Sequence, residues 1–181
     1  MNKLLLAALL ALPTAALAAP SETAVFKLIN DRMSYMPDVA LYKANNHLAI
    51  EDLKREEVVL EKSKAASAHY SLDSNSTEDF TVSLMAAAKA IQYRYRADLL
   101  SATNDDKTAP RDLNTVVRPA LIKLGSELNE SIAEYLKSGH QFTANQYPEF
   151  QSSITAPYLH NSDKKMIFTA LQKIKLSAAT H

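Results

Sequence analysis

Three cations lie at nearly regular intervals in the segment from residue 28 to 56. Arg32, Lys43 and Arg55 are 11 and 12 residues apart, which is close to whole numbers of helical turns. Cationic side chains that converge on one space can form a binding site for an anion. The spacing alone does not separate such a site from a solvated helix surface, because Pro37 interrupts the first interval and the second interval joins two predicted helices.

Other kinds of catalytic or binding site find little support in the sequence. The five histidines are scattered, and no pair has the i, i+4 spacing of a helical zinc site. A serine hydrolase would need a G-x-S-x-G turn, which the sequence lacks. The run Tyr93-Arg94-Tyr95-Arg96 suggests stacking on nucleic acid bases, but alternate residues of a helix point to different faces. We therefore expect no metal site and no nucleic acid partner.

The composition indicates that helices position these side chains. The chain has 181 residues and only two glycines, so hairpins, phosphate-binding loops and nucleophile elbows have almost no residues to form them. The 20 acidic and 20 basic side chains balance, which argues against a bulk electrostatic partner such as DNA or an anionic membrane. The sequence has no cysteine and therefore no disulfide or cysteine nucleophile. We predict an all-α fold in a single domain.

Residues 1–18 have the pattern of a secretory signal peptide. A short positive start precedes LLLAALLAL, an apolar run too short to span a bilayer, and Ala16-Leu17-Ala18 has the small residues that a signal peptidase prefers. We predict cleavage after Ala18, which leaves residues 19–181 as one helical domain. Later apolar runs are shorter than the ~18 residues of a membrane span, so we expect a soluble, periplasmic protein without membrane contact after cleavage.

Apolar periodicity and helix-breaking residues predict a series of helices. Their approximate limits are residues 25–36, 37–47, 50–70, 76–100, 112–139 and 162 onward, with short helices around Pro148 and Pro157. Ser76 followed by Asp79 matches a capping box, which predicts where the long fourth helix begins. Leu53, Val58, Leu60 and several alanines are expected on the buried side of the third helix, and residues 104–112 are expected to form a polar loop.

The order of the polar residues along these helices resembles the all-helical chorismate mutase family, and in particular its exported bacterial members. The resemblance covers about residues 24 to 136, and the ordered set of Arg, Lys, Arg, Gln and Arg is more specific than any single motif. It implies a bundle with long signature helices, additional C-terminal helices and one pocket per chain. The segments that carry it are MPDVALYK, LAIEDLKRE, AAAKAIQYR and LNTVVRPAL.

The resemblance implies a reaction, the conversion of chorismate to prephenate. This rearrangement takes place within one molecule and needs no cofactor, nucleophile or metal. Chorismate is a flexible dianion with an enolpyruvyl ether. An enzyme must therefore bind both carboxylates so that the reacting carbons approach each other. It must also stabilise the negative charge that grows on the ether oxygen as the carbon–oxygen bond breaks.

The resemblance also implies a role for each residue of the ordered set. Arg32, Arg55 and Arg118 bind the carboxylates, because a guanidinium matches a carboxylate with two parallel hydrogen bonds. Lys43 donates to the ether oxygen as a compact point charge. Gln92 is a second donor to that oxygen, and a glutamine, unlike the glutamate of some relatives, can donate at any pH.

The same resemblance implies roles for two acidic residues and indicates whether the pocket needs a second subunit. Asp52 and Glu56 lie where the family contacts the substrate hydroxyl, although acidic residues are also common at helix starts because of the helix dipole. Smaller relatives borrow an arginine from a neighbouring subunit, whereas exported ones supply it within the chain. We expect Arg118 to play this part here, so that a homodimer is possible but not needed for the pocket.

Two positions depart from the family pattern. Val59 lies one turn after Arg55, where relatives often have a polar side chain, and Ala88 lies one turn before Gln92, where they usually have a hydroxyl or an amide. Each change removes a possible hydrogen bond to a substrate carboxylate, worth roughly 1.5–3 kcal/mol. Two alternatives therefore stay open: a periplasmic module that binds a carboxylate ligand without turnover, and a lyase that removes pyruvate from isochorismate.

Overall fold

The computed structural model describes residues 20–101 and 109–178, and these residues form an all-α fold without a β-strand. The predicted signal peptide and most of the predicted loop at 104–112 lie outside the described residues. Seven α-helices are present in the described part: α1 (Glu22–Ser34), α2 (Met36–Asn45), α3 (Leu53–His69), α4 (Ser74–Leu99), α5 (Arg118–Lys137), α6 (Tyr147–Ser153) and α7 (Asn161–Leu171). The predicted fold class is confirmed.

Helix α4 is the centre of the bundle. It is 26 residues long and packs against α2, α3 and α7, while α1 packs against α5 and α6. Phe26, Phe150 and Phe168 are fully buried where α1, α6 and α7 meet, and their ring centroids are 5.0 to 6.3 Å apart. Burying each such ring stabilises the fold by roughly 1.5–3 kcal/mol. None of the described helices is both long and apolar enough to cross a membrane.

The break predicted at Pro37 is present. Helix α1 ends at Ser34, Tyr35 is the single residue between the helices, and Pro37 lies in the first turn of α2. A proline fits there because the first amides of a helix have no partner within the helix. Arg32 and Lys43 therefore belong to two successive helices, and only the angle between these helices brings their side chains together.

The capping box predicted at Ser76 is wrong, because α4 begins two residues earlier. Asp73 is the N-cap, and its Oδ1 atom accepts a hydrogen bond of 2.9 Å from the amide of Ser76. This bond is the main reason why the pKa of Asp73 lies below its ordinary value. A carboxylate that precedes the first turn is a strong N-cap, and the hydroxyl of Ser76 instead donates to the backbone carbonyl of Asp73.

The prediction that Leu53 and Val58 are buried is also wrong. Their relative exposures are 73% and 38%. Helix α3 packs on α4 through small residues, with Ser67 fully buried and Ser63 bonded to Thr81. A helix that approaches its neighbour through small side chains leaves its larger ones at the rim, where apolar surface is common in folded proteins.

The segment after α6 turns instead of forming the helix predicted around Pro157. Tyr158 has a φ of 65°, and its carbonyl accepts a hydrogen bond of 2.7 Å from Arg94 on α4. Arg94 also forms a two-pronged ion pair with Asp163 on α7, with N–O distances of 2.5 and 3.3 Å. The guanidinium therefore fixes both the turn and the final helix to the centre of the bundle.

Candidate active site

Helices α1 to α5 surround a cavity of about 490 Å³. This volume lies within the range of about 300–1,000 Å³ that is typical of small-molecule sites. The cavity lining includes all eight side chains that the sequence analysis assigned to a site, namely Arg32, Lys43, Asp52, Arg55, Glu56, Ala88, Gln92 and Arg118.

The cavity is strongly basic although the chain as a whole is neutral. Two carboxylates, Asp52 and Glu56, face a larger set of cations in the lining. A concave surface with one predominant sign of charge attracts ligands of the opposite sign, so the cavity suits an anion. The six basic residues that line it are Arg32, Lys43, Arg55, Lys62, Lys89 and Arg118.

Arg32 lies in the last turn of α1 and connects this helix to α5. Its Nη1 atom donates a hydrogen bond of 3.0 Å to the carbonyl oxygen of Leu121. Burial lowers the pKa of the guanidinium below its ordinary value, because removal from water disfavours the charged form. Since a guanidinium has five donors, this single bond leaves donors for an anion.

Lys43 lies in the last turn of α2, and its Nζ atom is 2.5 Å from the carbonyl oxygen of Ile50. Burial lowers the pKa of this lysine, and the nearby Arg118 acts in the same direction. The carboxylates of Asp52 and Glu56 partly oppose the shift. An ammonium group has three donors, so Lys43 has two more for a ligand.

Gln92 extends from α4 into the cavity and is only 5% exposed. Its Nε2 atom donates to the backbone carbonyl of Ala88 at 3.1 Å and faces the sulfur of Met36 at 3.9 Å. A thioether is a weak acceptor, so one N–H of the amide is poorly satisfied. Its Oε1 atom is buried and has no hydrogen-bond partner among the described residues. Such incomplete satisfaction is uncommon in a folded interior and needs an explanation.

The start of α3 brings three charged residues to the cavity. Asp52 is the N-cap, and its Oδ1 atom accepts a hydrogen bond of 3.1 Å from the amide of Arg55. The side chain of Arg55 is exposed and makes no ion pair with the described residues. Glu56 instead pairs with Lys89 of α4 at 2.9 Å, and this hydrogen bond raises the pKa of Lys89.

Arg118 is the first residue of α5 and comes from the same chain as the rest of the lining. A π-helical turn, Leu113–Val117, precedes it, and Leu113 and Val117 are buried. The Nη1 atom of Arg118 donates to Oδ1 of Asn114 within this turn. The two buried residues therefore anchor the turn and set where the arginine reaches the cavity.

The two departures from the family pattern both lie in the cavity lining. Val59 and Ala88 contribute no hydrogen-bonding side chain to it. The nearby hydroxyls of Ser63 and Thr81 are 2.6 Å apart and bond to each other, and Thr81 also donates to the carbonyl of Thr77. These hydroxyls are already paired, so they do not simply replace the missing donors.

Sequence reasoning missed Lys62 and Lys89, which also line the cavity. Lys89 lies three residues before Gln92, and residues with this separation are neighbours on one helix face. This spacing could have placed Lys89 beside the cavity. Lys62 lies three residues after Val59 and seven after Arg55, so the same argument could have placed it on the cavity side of α3.

As predicted, the aromatic and basic residues 93–96 of α4 point to different faces and do not form one surface. Arg94 binds Asp163, whereas Arg96 donates a hydrogen bond of 2.8 Å to the carbonyl of Leu48 on the other side of α4. Tyr95 packs edge-on against Tyr158, with ring centroids 5.4 Å apart. Among the described residues, no group of three or more His, Asp, Glu or Cys side chains is placed to hold a metal ion.

The fold and the site define an all-α protein with a cavity in whose lining basic side chains outnumber acidic ones. The family model of chorismate mutase type II matches residues 22–93. A monofunctional chorismate mutase of Enterobacter agglomerans is 42% identical over 147 residues, which cover 81% of this chain and 80% of that protein. A secreted chorismate mutase of Yersinia pestis is 40% identical over 149 residues, with coverages of 82% and 79%.

Solved structures give the same result. The crystal structure of the secreted chorismate mutase from Yersinia pestis matches this chain with a TM-score of 0.77 and 38% sequence identity. The match covers 84% of this chain and 97% of that one. The chorismate mutase from Burkholderia thailandensis has a TM-score of 0.65 and 25% identity, with coverages of 82% and 95%. This chain belongs to the chorismate mutase type II family.

Proposed function

We propose that this protein is a chorismate mutase that rearranges chorismate to prephenate in the cavity of a single chain, without a cofactor. The observation that carries the proposal is the position of Lys43 and Gln92. They extend from α2 and α4 into one cavity, where each has hydrogen-bond donors that no strong acceptor uses. Three arginines from three other helices line the same cavity.

The arginines bind the two substrate carboxylates. Arg32, Arg55 and Arg118 belong to α1, α3 and α5, so they approach the cavity from different directions. Two-pronged hydrogen bonds from these directions hold the dianion in a compact conformation. In this conformation the two carbons that form the new bond are close to each other, and the reaction loses less entropy on the way to the transition state.

Lys43 and Gln92 act on the breaking bond. As the ether carbon–oxygen bond lengthens, the oxygen gains negative charge, and donors already in place stabilise it more than they stabilise the substrate. The ether oxygen replaces the sulfur of Met36 as the acceptor for the second N–H of Gln92. Loss of one such donor typically costs about 10²–10³ in kcat.

Asp52 and Glu56 complete the site as acceptors for the substrate hydroxyl. Both carboxylates line the cavity near Lys43, whose pKa they raise against the effect of burial. Asp52 has a second task as the N-cap of α3, whereas Glu56 is held from α4 by Lys89. We therefore assign the hydroxyl contact mainly to Glu56.

We propose that the protein is exported to the periplasm. Residues 1–18 form the signal peptide, and residues 19–181 form the mature domain. The similarity to a secreted relative supports export. Since all the assigned residues come from one chain, a homodimer would be compatible with the site but would not be needed to complete it.

A second candidate is a binding module that holds a carboxylate ligand without turnover. Val59 and Ala88 favour it, because two positions that could hold a carboxylate have no donor and the nearby hydroxyls are already paired. We rank the mutase first because Lys43 and Gln92 serve the breaking bond, and a module that only binds carboxylates has no use for both.

Chorismate turnover by the purified mature protein distinguishes these functions. We expect the absorbance of chorismate to fall as prephenate forms, and Arg55→Ala to lower kcat/KM by roughly tenfold or more because one carboxylate loses its partner. Binding of chorismate without consumption would favour the module. Release of pyruvate from isochorismate, without prephenate from chorismate, would indicate a lyase.

A further inference from the structure

The ion pair between Lys89 and Glu56 lies inside the cavity rather than on the outer surface. The Nζ atom of Lys89 is 2.9 Å from Oε2 of Glu56, and both residues line the cavity. Their side chains are 28% and 23% exposed. A pair in this position is less screened by water than an exposed one, so it constrains where the carboxylate points.

Glu56 has competing partners in the same cavity. It lines the cavity together with Lys43, and its negative charge raises the pKa of that lysine. The neighbouring residue on α3, Arg55, has a side chain without an ion-pair partner in the described part of the chain. A carboxylate that paired with either cation would neutralise a charge that the substrate needs. Lys89 supplies an alternative partner from α4.

We propose that Lys89 is a positioning residue for the rearrangement. It holds Oε2 of Glu56, so that the other carboxylate oxygen accepts a hydrogen bond from the substrate's ring hydroxyl and the carboxylate does not pair with Lys43. This inference rests on the proposed function. It adds to the site a residue that does not touch the reacting atoms. Lys89 instead determines where the carboxylate of Glu56 points and keeps Lys43 free to bind the substrate.

A structural role is the alternative explanation, since the pair also joins α3 to α4. The chain contains a matched control for this role. Lys64 of α3 and Glu78 of α4 join the same two helices, also at 2.9 Å, and neither residue lines the cavity. If the Lys89 pair only tied the helices together, Lys89→Met and Lys64→Met would have similar consequences.

The test compares Lys89→Met, Lys89→Arg and Lys64→Met with the wild type in steady-state turnover of chorismate. We expect Lys89→Met to lower kcat/KM roughly tenfold, because Glu56 is free to pair with the cations that the substrate needs. Lys89→Arg should keep most of the wild-type kcat/KM, since arginine retains the charge and the hydrogen bond to Glu56. Lys64→Met stays within about twofold of the wild type, as expected for a partly exposed pair outside the site.

A second substrate separates positioning from a structural effect. In an analogue of chorismate whose ring hydroxyl is replaced by hydrogen, Glu56 has no group to accept from. The expected loss from Lys89→Met is then smaller than with chorismate by at least about threefold, because only the contact to Lys43 is still affected. Both substrates are measured on the same preparation, so a smaller folded fraction lowers both rates equally.

Two results would overturn the inference while the wild type remains active. One is a loss in Lys89→Met no greater than that in Lys64→Met, and the other is an equal loss with chorismate and with the analogue. A wild type that does not convert chorismate would instead overturn the proposed function, and the inference with it.

Discussion

The Nζ atom of Lys43 lies 2.5 Å from the carbonyl oxygen of Ile50, which joins the last turn of α2 to the segment before α3. The bond holds the ammonium in the cavity, where burial lowers its pKa. The charge is thus kept in a place where it is poorly solvated. In the proposed function, a bound dianion supplies the missing stabilisation, and the same charge stabilises the ether oxygen in the transition state.

The first prediction concerns the pH dependence of turnover. Lys43 must carry its proton, so kcat/KM should stay nearly constant from mildly acidic to mildly alkaline pH and fall as the pH rises through the pKa of Lys43 in the free enzyme. Because that pKa is lowered, the fall should begin below the ordinary lysine value of about 10.4. The corresponding fall in kcat should come at higher pH, since bound dianion favours the protonated lysine.

Lys43→Arg provides the control for this pH profile. A guanidinium keeps its proton throughout the accessible range, so any activity that remains in this variant should lack the alkaline fall. If the variant showed the same alkaline fall as the wild type, Lys43 would not be the group that titrates.

The second prediction concerns the amide of Gln92. Gln92→Glu should turn a pH-independent donor into one that acts only when protonated. Activity of this variant should therefore decrease by about tenfold per pH unit above the pKa of the new carboxyl, while the wild type is unchanged over the same range. Parallel pH profiles of kcat for the two proteins would show that the amide does not donate to the reacting oxygen.

The third prediction concerns the apolar position at Ala88. Ala88→Ser places a hydroxyl in the cavity lining, one turn before Gln92, where it can donate to a substrate carboxylate. A hydrogen bond to a charged group is worth roughly 1.5–3 kcal/mol, so kcat/KM should rise about tenfold or more. Ala97→Ser, on the exposed side of the same helix, is the control and should leave kcat/KM unchanged. An equal response of the two variants would mean that position 88 does not contact the substrate.

The fourth prediction concerns the attachment of α7 to α4. Asp163 is 8% exposed and accepts hydrogen bonds from Arg94 and from the amide of His160. Asp163→Ala leaves the partly buried guanidinium of Arg94 without its ion-pair partner and removes a cap, so the free energy of unfolding in urea should fall by about 2–3 kcal/mol. Asp31→Ala removes an exposed pair with Lys27 and should change it little. A similar fall in the free energy of unfolding for the two variants would contradict this role of Asp163.

The sequence could indicate which cations form the site only through their order. Arg32 and Lys43 lie on separate helices, so their regular spacing does not place them on one face. Their convergence depends on the angle between α1 and α2 and on the packing of both helices around the bundle. The resemblance carried this information, because relatives share the packing, whereas periodicity describes one helix at a time.

The wrong prediction for α3 and the missed pairing of Lys89 have a common physical cause in the packing between helices. Leu53 and Val58 are apolar and suggest a buried face, but α3 meets α4 through Ser63 and Ser67, which hydropathy does not weigh strongly. The spacing of Lys89 from Gln92 could have placed it beside the cavity, but its ion pair with Glu56 joins two helices and does not follow from the pattern of either helix alone. Contacts of this kind are decided by tertiary structure.

The most direct test of the central claim is the rate of prephenate formation by the wild type and by Lys43→Met under identical conditions. Prephenate is identified by its conversion to phenylpyruvate in acid, and circular dichroism verifies that both proteins are folded. We predict that the wild type converts chorismate and that the variant is slower by about 10²–10³-fold in kcat. A folded wild type that forms no prephenate, or a variant that forms it at the wild-type rate, would contradict the account.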